Sequence, residues 1–206
     1  MRKNLSIVFA LIGWFAVITQ YILLLNASTT GFTDTTIRFF SFFTILTNSL
    51  VSLYFTQQAI LNDYKNKQFL NFPGFLTAIT VYIFVVGLVY QIILRQTYNP
   101  EGMDLIVNEL LHSLMPLLVL LFWYLYEDKT VIKWKSLFLW LIYPFIYIII
   151  IMISGSFSNY YPYPFINVLN IGLKAVLINS FLLLILFMVL SVILVGFGKW
   201  LEKKKA

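Results

Sequence analysis

The sequence predicts an all-α, polytopic membrane protein with six transmembrane helices in one bundle. Three observations predict it. Of the 206 residues, 61% are hydrophobic and only 11% are charged, far outside the range of soluble domains. The apolar residues gather into six runs, each close to the roughly 20 residues that cross a bilayer. The basic residues gather at the two ends and in alternate loops.

The first run covers about 5–25, after Arg2 and Lys3. It is too long for the apolar core of a secretory signal, and no small-x-small site closes it, so a span is expected there. A short polar loop leads to the second, about 36–61, which carries no charge after Arg38. The loop that follows holds Lys65 and Lys67, and Pro73-Gly74 punctuates it before the third run, about 75–94. Asn99-Pro100 and Gly102 mark a turn before the fourth, about 105–126. A loop with three lysines leads to the fifth, about 136–153. The longest loop, 154–174, contains YYPYPFIN (160–167), whose aromatic rings suit the membrane surface. The sixth run covers about 175–198, before a lysine-rich tail.

No loop is long enough to hold a folded unit, so residues 1–206 form one domain, and no internal repeat stands out. The N-terminus, second loop, fourth loop and C-terminus carry 2, 2, 3 and 4 of the 14 Lys and Arg. The other side holds only Arg38, Arg95 and Lys174, and acidic residues divide evenly, so the basic excess predicts both termini in the cytoplasm. Abundant Lys, Asn, Ile, Phe and Tyr suit an AT-rich bacterial genome, and hence a bacterial cytoplasmic membrane.

Composition also narrows the chemistry. With no cysteine there is no disulfide framework, thiol nucleophile or cysteine metal site. One histidine and scattered carboxylates make a poor metal shell, so neither metal nor cofactor is expected. The net charge of +6 reads as a topology signal and not as a nucleic-acid footprint.

The second run carries a polar stripe. Ser41, Thr44, Asn48 and Ser52 recur at spacings of three and four, one face of a helix. In lipid that face must turn inward, toward neighbouring helices or a small wet cavity. The fourth run contains NELLHSLMP (108–116), in which Asn108, Glu109 and His112 share a face. Ionisable groups inside a span are costly and usually functional. Pro116 excludes the helical hydrogen bond to the carbonyl of residue 112, so a kink is expected there. Thr44 and His112 each lie seven residues into their runs from the outer side, roughly 10 Å deep at the rise of an α-helix.

If the two faces meet, roles follow. Thr44 is a hydroxyl nucleophile and His112 its base. Asn48 or Asn108 serves as oxyanion or orienting group, and Glu109 orients the imidazole or pairs with Arg38 or Arg95. Thr47 is the alternative nucleophile. Structural readings stand beside these, since hydroxyls in spans commonly bond their own backbone. Gln20, Tyr21, Tyr90 and Gln91, at the outer ends of their runs, either line a pocket or anchor the interface. Asn179 and Ser180 suit bonds across helices, while Tyr143, Pro144 and Tyr147 shape the fifth run.

The segments RFFSFFTILTN (38–48) and NELLHSLMP resemble a bacterial family of six-span membrane proteins without a settled activity. They also resemble the eukaryotic androgen-induced membrane hydrolases, which cleave fatty acid esters of hydroxy fatty acids with an intramembrane Thr and His. The family's aromatic-Leu-Thr-x-Leu-Asn run matches Phe43, Thr44 and Leu46, with Asn48 one residue late because Thr47 intervenes. Its histidine run matches Asn108, His112, Ser113 and Pro116. The likeness covers these two motifs and the hydropathy of most of the chain. It implies an intramembrane ester hydrolase acting on a membrane lipid or fatty acyl ester, and it leaves Thr44 and Thr47 both open. The other function class is a six-helix protein that binds or passes a lipid or small solute, with His112 and Glu109 as a proton-sensing or structural pair. The strongly apolar runs 117–122 and 182–190 favour a pocket open on one side over a channel.

Overall fold

The structure, a computed structural model, describes residues 1–60, 70 and 72–204. Among these residues every regular element is helical. The α-helices are α1 (Arg2–Ala27), α2 (Phe32–Ser41), α3 (Phe43–Ile60), α4 (Phe75–Val89), α5 (Gly102–Glu109), α6 (Met115–Tyr126), α7 (Ser136–Trp140), α8 (Ile142–Ser158) and α9 (Val168–Lys203). Two π-helical turns, Tyr90–Leu94 and Leu110–Leu114, extend α4 and join α5 to α6.

Five helical stretches among the described residues are long and apolar enough to cross a membrane. They are Arg2–Ala27, Phe75–Leu94, Gly102–Tyr126, Ser136–Ser158 and Val168–Lys203. The expected second span takes another form. It is broken at Phe42 into α2 and α3, which meet at a bend of 78°, and it makes a sixth span only if the bent pair counts as one. Leu61, Lys65 and Lys67 lie outside the described residues.

No Pro or Gly causes that break. Ser41 Oγ donates to the Arg38 carbonyl, Phe42 N–H reaches back only to Phe39, and Phe42 itself is extended. A break inside an apolar bundle frees backbone groups that need partners. Two tyrosine hydroxyls supply them: Tyr147 donates to the Ser41 carbonyl, and Tyr163 accepts from Thr44 N–H. The bend also dismantles the four-residue stripe. Ser41 ends α2 and bonds its own helix, so it does not share a face with Thr44, Asn48 and Ser52.

α4 is the most buried of the long helices and packs against α3, α6 and α9. α1 lies along α3, close at Gly13, where a Cβ would stand 2.2 Å from Ser52 Oγ. α9 begins earlier than expected. Asn167 caps it through a bond from Leu169 N–H to its side-chain oxygen, and Gly172, at φ 78°, kinks it. Most of the expected long loop is therefore helix. In what remains, 159–167, the side chains of Tyr163 and Ile166 are buried.

At the end of the bundle that holds the N-terminus, Lys129 is 3% exposed. Its Nζ donates to the carbonyls of Trp123, Tyr124 and Glu127, closing the C-terminal turn of α6. Glu127 accepts from the Thr77 hydroxyl, which accepts from Trp123 Nε1. Burial raises the Glu127 carboxyl from its ordinary 4.5 to about 7, against Thr77, Lys129 and Arg2, which favour the charged form. The folded chain thus binds this proton more tightly than the unfolded chain. The resulting stability is complete below pH 4.5 and is lost as pH rises through about 7. The thermal midpoint in detergent is expected to fall across that window, and Glu127→Gln to flatten the slope.

Candidate functional site

The break at Phe42 determines what Thr44 can do. Ser52, Thr56, Thr80 and Ser191, inside helices, each bond the carbonyl four residues back. Thr44 is the second residue of α3 and follows the extended Phe42, so no regular helical turn precedes it. Its hydroxyl faces other elements. Thr44 Oγ1 lies 3.4 Å from His112 Nε2 and 3.3 Å from the Tyr163 hydroxyl, and the residue is 7% exposed.

His112 is held on two sides. Its ring stacks on Tyr90 at 4.2 Å, with 20° between the planes. Its Nδ1 lies 2.9 Å from the carbonyl of Asn108. A carbonyl only accepts, so Nδ1 carries the proton and Nε2 presents a lone pair to Thr44. The hydrogen bonds then run in one direction: Tyr163 O–H to Thr44 Oγ1, Thr44 O–H to His112 Nε2, and His112 Nδ1–H to Asn108. Tyr163 keeps its proton, because burial raises its hydroxyl above the ordinary value.

The π-helical turn Leu110–Leu114 contains His112 and ends two residues before Pro116, where the sequence predicts a kink. The widened turn takes up the disruption that the proline ring introduces. Gly87 of α4 packs against this spot; a Cβ there would stand 3.0 Å from the His112 carbonyl and 3.2 Å from Pro116 Cγ.

The remaining sequence candidates have different places. Asn48, fully buried, donates its amide to the carbonyls of Thr44 (2.9 Å) and Leu111 (3.3 Å), so it ties α3 to the histidine turn. Asn108 uses its backbone on His112 and its side-chain amide on the Tyr90 hydroxyl. Glu109 pairs with Arg95 at 2.7 Å and also accepts from Ser113. Neither of the imidazole's two hydrogen-bond contacts is to Glu109, and a partly exposed pair of this kind adds little stability. Thr47 lies 3.3 Å from the Tyr143 hydroxyl, on the side of α3 that meets α8. The sequence reading missed Tyr163. Its signal was the flanking pair Pro162 and Pro164, which holds Tyr163 extended (φ −132°, ψ 142°) and aims one ring inward.

Two cavities meet at this cluster, and Thr44, Leu94 and Tyr163 line both. One, of about 70 Å³, is an apolar slot between α4, α8 and α9, lined by Val85, Val89, Ile148, Leu183 and Phe187 among others. The second, of about 360 Å³, is bounded by Gln20, Phe39, Tyr90, Asn108 and His112 among others. A hydroxyl, an imidazole lone pair and a protonated phenol thus converge where an apolar space joins one of mixed lining. Such a constellation suits nucleophilic attack on an acyl group. Comparison with protein-family models, curated proteins and solved structures finds no match to this chain.

Proposed function

We propose that this chain is a six-span integral membrane protein, with α2 and α3 as one broken span, that hydrolyses fatty acyl esters within the membrane. The observation that carries the reading is the Thr44–His112 contact, with the imidazole tautomer set by the Asn108 carbonyl. The likeness of its two motifs to the androgen-induced membrane hydrolases supports the same chemistry. The basic-residue distribution supports cytoplasmic termini and, with them, a site toward the outer leaflet of a bacterial cytoplasmic membrane.

In this reading His112 Nε2 takes the Thr44 proton as Thr44 Oγ1 attacks the ester carbonyl. The oxyanion receives hydrogen bonds from the Tyr163 hydroxyl and from Thr44 N–H at the positive start of α3. The Asn48 amide is already held by two carbonyls and keeps the helices in place. As the tetrahedral intermediate collapses, the ester C–O bond breaks and His112 returns its proton to the leaving alcohol. Water then attacks the acyl-threonine, with His112 again taking the proton. The products are a carboxylic acid and an alcohol, and Thr44 is restored.

The test is turnover of a panel of acyl esters by purified protein in detergent. Wild type and Thr47→Ala are expected to hydrolyse at similar rates. Absence of turnover in wild type, or loss with Thr47→Ala instead of Thr44→Ala, would refute the assignment.

A further inference from the structure

We infer that the ester is divided at Tyr163, with its acyl chain entering the apolar slot and a small, uncharged, hydroxyl-bearing alcohol such as glycerol in the larger cavity of mixed lining. The inference rests on the hydrolase reading and specifies its substrate. Because Thr44 and Tyr163 line both cavities, a scissile ester at Thr44 Oγ1 sends one half into each.

The linings decide which half goes where. The slot is mostly hydrocarbon, and the Tyr147 hydroxyl on its wall is spent on the Ser41 carbonyl. The first carbons of an alkyl chain fit there, and of the slot's polar groups only the buried Ser180 hydroxyl has no partner. The larger cavity carries hydrogen-bonding capacity that the fold does not consume. Gln20 makes no hydrogen bond with another described residue, Asn108 has engaged only its amide nitrogen, and the Tyr90 hydroxyl accepts and still has a proton to give. A second hydrocarbon chain would leave all three without partners, at a cost in affinity.

Charge is the second criterion. No ionisable Asp, Glu, Lys or Arg lines the cavity. Of the charged residues next to lining positions in sequence, Arg95 and Glu109 pair with each other, and Arg38 lies over the Tyr160 ring at 4.7 Å. A phosphate-bearing headgroup would enter a partly desolvated space with no counter-charge among its lining residues.

The experiment compares three oleoyl esters with wild-type protein in detergent: 1-oleoylglycerol, oleoyl lysophosphatidylglycerol and dodecyl oleate. The expected result is a kcat/KM for oleoylglycerol about tenfold or more above both others. Gln20→Leu is expected to narrow that preference by lowering the glycerol ester's kcat/KM while sparing dodecyl oleate. Leu183→Trp is expected to slow oleoylglycerol more than butyrylglycerol, because it fills the slot. Equal rates on the three esters, or preference for the phosphate or dodecyl ester, would overturn the division while leaving the hydrolase standing. No Thr44-dependent turnover of any ester would overturn the hydrolase reading, and this inference with it.

Discussion

Thr44→Ala and His112→Ala are each expected to lower kcat/KM for acyl esters by roughly a thousandfold or more, and the double variant to be no worse than either alone. The magnitude follows from the roles. Removing the hydroxyl removes the acceptor of the acyl group, while removing a general base typically costs about 10²–10⁴-fold. The two act as one unit, so their effects do not multiply. Thr44→Ser, which keeps the oxygen, is expected to retain part of the activity. Steady-state kinetics on protein whose thermal unfolding matches wild type checks all four variants. Multiplicative losses would mean that Thr44 and His112 act independently, contrary to the 3.4 Å contact between them.

Asn48→Ala is expected to lower both stability and kcat, with the smaller change in KM. Asn48 is fully buried and donates to two carbonyls, that of Thr44 on its own helix and that of Leu111 in the histidine turn. Its loss leaves buried acceptors unsatisfied, at about 1–3 kcal/mol, and releases the tie that holds α3 against the turn. A shift between those elements lengthens the Thr44–His112 approach, and reactions of this kind are sensitive to displacements of about 1 Å. Thermal unfolding in detergent read beside kcat separates the two effects. A lower midpoint with unchanged kcat would make Asn48 a packing residue only.

Much of this arrangement is legible in the sequence, because it depends on local pattern. The long apolar runs fall within a few residues of the helices, apart from the extended start of α9. The pairing of His112 with Asn108 follows from helical spacing and recurs in the structure. The break at Phe42 is not legible, since RFFSFFTILTN has no helix breaker. What makes the break tolerable are two hydroxyls 106 and 119 residues away, on α8 and in the loop after it. Proximity across that distance is a property of packing and leaves no periodicity to read. Tyr163 was hidden for a related reason: an aromatic loop suggests an interface, and only the tertiary structure shows one of its rings buried. Lys129 reads as a solvated loop charge until the carbonyls at the end of α6 are seen around it. The start of α9 was readable, because Asn167 before an apolar run is an N-cap signal.

The most direct test of the central claim is covalent. Purified protein in detergent is incubated with a long-chain alkyl fluorophosphonate, which reacts with activated hydroxyl nucleophiles, and the modified residue is located by peptide mass spectrometry. The account predicts a single adduct on Thr44, formed far more slowly in His112→Ala and absent in Thr44→Ala. An adduct on Thr47 or Tyr163, or no adduct in a wild-type protein that hydrolyses esters, would contradict it.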